Sequence, residues 1–97
     1  MDSEPTWRVG IAFSETDDRT RADAILEFGG QRFHGWGQAK RNPGDPSVPV
    51  IGEELAAARA LSDLSHQLVQ AAADRIETFE GHPVSLPPGD LIRLCEL

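Results

Sequence analysis

The chain holds one cysteine, Cys95, in its 97 residues, so no disulfide framework can staple it internally. No apolar run approaches the roughly 18 residues that cross a bilayer as a helix, and no membrane association is expected. The N-terminus lacks the charged, hydrophobic and small-residue succession of a secretory signal, and the expected compartment is the reducing cytoplasm. Basic residues are scarce, with 9 Lys and Arg against 16 Asp and Glu and a formal net charge of -7. That deficit is uneven. Residues 1–41 carry 7 acidic and 6 basic side chains, a net -1, whereas residues 42–97 carry 9 and 3, a net -6. Phosphate binding needs clustered cations, so the second half is a poor nucleic-acid surface. The histidines are also few: His34, His66 and His82 fall on a strand, a helix face and a loop, without metal-ligand spacing. Neither a metal nor a cofactor is expected.

A chain of this length matches one domain. It buries roughly 60–70% of its unfolded surface, enough to fold unaided. A single domain is therefore expected over 1–97, with its core at about 6–84 and a tail at 85–97. From Thr6 to Phe13 the residues alternate, with Trp7, Val9, Ile11 and Phe13 on one face, as in a half-buried strand. The polar stretch Ser14 to Arg19 predicts a loop, in which Asp17 and Asp18 turn the chain. From Thr20 to Phe28, Ala22, Ala24, Leu26 and Phe28 form the inward set, and Gly29-Gly30 supplies a two-residue hairpin turn. Folding there predicts the pairs Phe28 with Gln31, Glu27 with Arg32, Leu26 with Phe33, Ile25 with His34 and Asp23 with Trp36. Glu27 with Arg32 matches charges on the outer face, and Leu26 with Phe33 matches apolar groups on the inner one. The third strand then points Phe33, Gly35, Gly37 and Ala39 inward, small enough for a helix backbone to approach closely.

Pro43, Pro46 and Pro49 make residues 42–50 a stiff crossover loop. Ile51 to Phe79 is expected to form one helix, rich in Ala and Leu, with Glu53 and Glu54 suited to its positive end. Its apolar stripe, expected against the sheet, is Ile51, Leu55, Ala58, Leu61, Ser62, Ser65, Leu68, Val69, Ala72, Ile76 and Phe79. Gly81 ends it, and Asp90 caps a candidate short helix in the tail. The fold class is α+β, a three-stranded antiparallel sheet packed on one long C-terminal helix in the order β-β-β-α.

Three stretches carry a family resemblance: Asp18-Arg19-Thr20-Arg21-Ala22; Gly35-x-Gly37-x-Ala39 followed by Asn42-Pro43-Gly44-Asp45; and Val48 through Leu64, beginning Val-Pro-Val-Ile-Gly-Glu-Glu-Leu. Together they resemble a family of small actinobacterial proteins of uncharacterised function, classed with folds like the double-stranded-RNA-binding domain. The likeness spans about residues 6–84. It implies a β-β-β-α order packed as in that domain but without its first helix, and it implies no established activity. RNA binding by analogy meets a local obstacle. RNA-binding members of that fold run from Gly-x-Gly into a Lys-rich helix start, whereas here a proline loop intervenes and the helix begins Gly52-Glu53-Glu54, which repels phosphate. Fold alone does not carry function.

The outer sheet face is the candidate interaction patch, with Arg8, Arg21, Ile25, Arg32, His34, Trp36 and Lys40. Trp and Arg are favoured anchors at protein interfaces, and aromatic and basic groups together also hold single-stranded nucleic acid. The plainer alternative is a solvated face with Trp36 covered by the tail or by neighbouring Arg stems. No catalytic residue is nominated. Ser62 and Ser65 sit on the expected buried stripe, where they bond back to helix carbonyls, and no nucleophile, base and orienting group assemble. The leading expectation is a non-enzymatic module that self-associates as a homo-oligomer or docks a protein partner through the outer face or the tail. Nucleic-acid binding by the outer face is the disfavoured alternative, and a small-molecule enzyme with a pocket between helix and sheet comes third.

Overall fold

Alternating β-branched, aromatic and small residues, interrupted twice by two-residue turns, give an antiparallel meander, and an Ala-rich segment then closes over it as a helix. The computed structural model describes residues 5–80. The strands are β1 (Val9–Thr16), β2 (Arg19–Phe28) and β3 (Gln31–Lys40), in the spatial order β1-β2-β3, followed by helix α1 (Pro49–Glu80). The described helix is not long and apolar enough to cross a membrane. The expected tail helix and its capping Asp90 lie outside the described residues. The chain divides into two compact units, Met1–Leu64 and Ser65–Leu97, and α1 contributes residues to both.

In the first unit the predicted hairpin register holds throughout: Phe28 pairs with Gln31, Leu26 with Phe33, Ile25 with His34 and Asp23 with Trp36. Gly29 and Gly30 adopt φ of 55° and 76°, the left-handed pair that matches the twist of a two-residue hairpin. The expected loop at Ser14 to Arg19 is shorter than predicted. β1 pairs with β2 through Thr16 and Arg19, and Asp17 and Asp18 alone make the turn, Asp17 at φ 50°. The polar side chains there stay exposed while their backbones complete the ladder, which hydrophobic alternation could not reveal. Arg41 braces this corner. Its guanidinium donates to the Asp18 carboxylate and to the Asp45 carbonyl, each at 2.6 Å, and its backbone N–H donates to the Asp18 carbonyl at 2.8 Å.

The core is built from small side chains. Ala22, Ala24, Leu26 and Ala39 of the sheet are buried with Ala56, Ala60 and Leu64 of α1. Backbone approach explains the choice. A Cβ placed on Gly35 would lie 2.5 Å from the Ala60 carbonyl oxygen and 2.5 Å from the Leu64 nitrogen, and one on Gly37 would lie 2.6 Å from the Ala60 nitrogen. A helix this near the strand can present only small residues at the contact, so Gly52, Ala56, Ala60 and Leu64 face the sheet at four-residue spacing.

That contact corrects the expected helix stripe. Ile51, Leu55, Ala58, Leu61 and Ser62 are exposed. With about 3.6 residues per turn, the set Ile51, Leu55, Ala58 and Ser62 centres roughly 130° around the helix from Gly52, Ala56 and Ala60. Apolar content pointed to one face of α1, while the glycines of β3 select the other. In the second unit Ala73 is buried, Ser65, Leu68, Val69, Ala72 and Ile76 are half-buried and Phe79 is exposed. Gln70 donates to the Asp74 carboxylate at 2.9 Å, and the Thr78 hydroxyl donates to the Asp74 carbonyl at 3.0 Å.

A second correction concerns β1. Val9, Ile11 and Phe13 pair with Leu26, Ala24 and Ala22 and so occupy the inward face, as expected. Burial does not follow, because Trp7, Val9, Ile11 and Phe13 remain 54%, 41%, 36% and 44% exposed. Trp7 stacks on Phe28 with centroids 3.9 Å apart, and Phe28 stacks on Phe33 at 5.6 Å. A helix seated this tightly against the glycines of β3 leaves the far strand uncovered.

Candidate functional site

Strand alternation places Arg21, Asp23, Ile25 and Glu27 of β2, with Arg32, His34, Trp36 and Lys40 of β3, on the face away from α1. Cross-strand pairing then gathers four of them. Asp23 stands opposite Trp36, Ile25 opposite His34, and Arg21 opposite Gln38. The Arg21 guanidinium donates to both Asp23 carboxylate oxygens at 3.0–3.3 Å and lies 4.5 Å above the Trp36 ring, within cation–π range. His34 Nε2 lies 2.6 Å from Asp23 Oδ1. The result is a compact Arg21, Asp23, His34, Trp36 cluster, with half-buried Ile25 beside it.

The centre of that cluster is Asp23, which the sequence-based patch omitted. The signal was available, because the predicted register already placed Asp23 opposite Trp36 and diagonal to His34. Hydrogen bonding to Arg21 above all, and then to His34, holds the Asp23 carboxyl below the ordinary carboxylate value, and the Arg21 guanidinium is correspondingly raised. The remaining patch members are more scattered. Arg32 meets Glu27 at 3.8 Å, with both side chains mostly exposed, a pair of little energetic weight. Arg8 precedes β1 and Lys40 ends β3. Both are exposed, and neither forms an ion pair among the described residues.

The two sheet edges differ. Counting outward from the two-residue turns, the alternation of bonded and unbonded pairs leaves the backbone groups of Trp36 and Gln38 at the free edge of β3. Those of Val9, Ile11, Phe13 and Glu15 are left at the free edge of β1. Helix side chains cap the β3 edge. The Trp36 N–H donates to Asp63 Oδ2 at 3.0 Å, and Arg59 donates to the Gln38 carbonyl at 2.7 Å. Among the described residues no group caps β1 in this way.

A cavity of about 440 Å³ opens at the N-terminal end of α1, lined by Asp17, Lys40, Pro46, Ile51 and Leu55 among others. Among the described residues no histidine or cysteine lines it. Among the described residues no three His, Cys, Asp or Glu side chains come close enough to hold a metal.

Residues 5–85 match a family model described as Rv2632c-like. The uncharacterized protein Rv2632c of Mycobacterium tuberculosis is 42% identical over 80 residues, covering 82% of this chain and 86% of its own. The uncharacterized protein Mb1767 of Mycobacterium bovis is 40% identical over 80 residues, covering 82% and 85%. The crystal structure of Rv2632c superposes with a TM-score of 0.77 at 40% identity, over 84% of this chain and 98% of that one. With its three-stranded antiparallel sheet, its long helix and a match across most of its length, the chain belongs to the Rv2632c-like family.

Proposed function

We propose that this chain is a non-enzymatic interaction module that works by presenting apolar surface to another protein chain. The carrying observation is the exposure of Trp7, Val9, Ile11 and Phe13 together on the inward side of the sheet. Contiguous exposed apolar surface of more than a few hundred Å² marks interaction sites. The exposed helix residues Ile51, Leu55 and Leu61 extend the apolar character to a second element. This relocates the expected contact from the outer face, where Trp36 is partly covered by Arg21.

Nucleic-acid binding draws less support. Arg21 is engaged by Asp23, and Arg32 lies beside Glu27, so the outer-face cations without an ion pair among the described residues, Arg8, Arg19 and Lys40, sit at strand ends rather than in the Trp36 cluster. The helix begins earlier than expected, at Pro49, so its first turn holds no acidic residue and Glu53 and Glu54 follow in the second; the resemblance to an RNA-binding fold still comes without a lysine-rich helix start to hold phosphate. An enzyme is less supported still, because among the described residues the cavity offers carboxylates and Ser47 without a histidine or cysteine to complete a nucleophilic pair.

Solution mass of the full chain over a concentration series, repeated with mixed RNA and DNA at low salt, tests this function. The expected result is a mass above the monomer without nucleic acid, unchanged when it is added. A monomer at every concentration that also fails to bind an apolar dye would refute it. So would a mass gain that needs nucleic acid and vanishes with salt.

A further inference from the structure

Edge strands expose unpaired N–H and C=O groups, and natural proteins guard them with lysines, prolines, bulges, inward-pointing charges or covering elements. In this chain β3 is guarded, by Asp63 on the Trp36 N–H and Arg59 on the Gln38 carbonyl. Among the described residues the β1 edge has few of these devices, the exception being one inward-pointing charge, Glu15, near its C-terminal end. Its eight residues, Val-Gly-Ile-Ala-Phe-Ser-Glu-Thr, hold no Lys or Pro, and its pairing with β2 runs unbroken from Val9 to Thr16 without a bulge. Three of the four inward-pointing residues, Val9, Ile11 and Phe13, are apolar, and the fourth, Glu15, stands outside the central part of the strand. Residues 5–14 carry one charge, Arg8, so the net charge of -7 places no repulsion along this edge.

We infer that β1 is an assembly edge for a second copy of this chain, the two β1 strands pairing antiparallel about a two-fold axis at Gly10 to make one six-stranded sheet. This rests on the interaction-module function and names its partner. The backbone is self-complementary in that register. The outward groups of Val9 meet those of Ile11 on the partner copy, and Gly10 faces its own mate across an unbonded pair. The side chains match as well. Trp7 falls opposite Phe13, Val9 opposite Ile11, and Arg8 opposite Ala12, so aromatic and aliphatic groups pair on one face and no like charges oppose each other. Glu15 lies beyond the apolar pairs.

The exposed apolar area contributes to such a dimer. Aromatic side chains present roughly 150–250 Å² each, and at the observed exposures Trp7 and Phe13 leave roughly 200 Å² open per copy. Two copies bring twice that, and Val9, Ile11 and the newly paired backbones add toward the roughly 1,200 Å² at the lower bound of stable interfaces. Pairing the edges also satisfies the backbone groups that α1 does not reach.

The test uses the full chain. Ile11→Lys places a charge in the centre of the seam and is expected to weaken dimerisation by at least about tenfold. Independently of that variant's folding, Gly10→Cys in a Cys95→Ser background is expected to form a disulfide-linked dimer under mild oxidation. The unbonded pair brings the two Cα atoms to about 4.5 Å, and a Cβ at Gly10 meets no atom within 4 Å. Ser14→Cys in the same background is expected not to link, because its mate would sit roughly 25–30 Å away along the paired strands. A Gly10→Cys protein that does not link, or one that links no better than Ser14→Cys, overturns the pairing whatever the solution mass. A dimer that survives Ile11→Lys without the Gly10 link sinks this inference alone and leaves the interaction function standing. A monomer that binds no apolar dye sinks both.

Discussion

Replacing Gly35 with alanine tests the contact that sets which face of α1 meets the sheet. A β-carbon there would stand 2.5 Å from the Ala60 oxygen and the Leu64 nitrogen and 3.0 Å from the Leu64 Cα. All three are backbone atoms, so no side chain can swing aside, and the helix must retreat by roughly 1 Å before contacts reach the usual 3.5–4.0 Å. That movement stretches the 3.0 Å Trp36 to Asp63 hydrogen bond past the distance at which it is effective. Overpacking of this kind costs about 1–3 kcal/mol, and the weakened hydrogen bond adds about 1 kcal/mol. The lower flexibility of alanine in the unfolded chain offsets about 0.4–1 kcal/mol. The expected net destabilisation is about 2 kcal/mol, or a fall of roughly 10 °C in Tm for a domain of this size. Thermal and urea melts followed by circular dichroism read it, with Gly44→Ala as the control, because a Cβ there meets nothing within 4 Å. A Gly35→Ala protein melting within a degree or two of the parent, or above it, would refute close backbone approach as the reason for the small-residue face.

Asp63→Ala uncaps the β3 edge and is expected to cost about 1 kcal/mol; hydrogen exchange at the Trp36 amide should accelerate while amides paired within the sheet keep their relative protection. The Asp23 carboxyl lies below its ordinary value of 3.8 because Arg21 and then His34 bind it, so its contribution to stability is present above that pH and is lost as pH falls through the lowered value. The stability difference between the parent and Asp23→Asn should therefore shrink as pH falls below about 4; melts at and below that pH check this, and a difference that grows there with acid would contradict the assigned pairing.

Strand pairing was legible because it rests on local chemistry. Gly29-Gly30 has few alternatives to a tight hairpin, and once that turn is placed the register follows residue by residue, down to Leu26 against Phe33 and Asp23 against Trp36. The outer cluster was half legible. His34, Trp36 and Arg21 were named from their types, while Asp23 was missed because an acidic residue among cations looks like a solvated spacer until its cross-strand neighbours are counted.

The amino-acid sequence by itself determined the element order, the hairpin register and the face on which each strand residue lies, because periodicity and turn chemistry act over a few neighbouring residues. Only the tertiary structure decided which face of α1 is buried and that β1 is left uncovered. Those outcomes depend on how near two backbones come. Glycines at 35 and 37 draw the helix onto β3 through the backbone of Ala56, Ala60 and Leu64, a close fit that overrides the larger apolar side chains of Ile51 and Leu55 and leaves them exposed with Val9, Ile11 and Phe13.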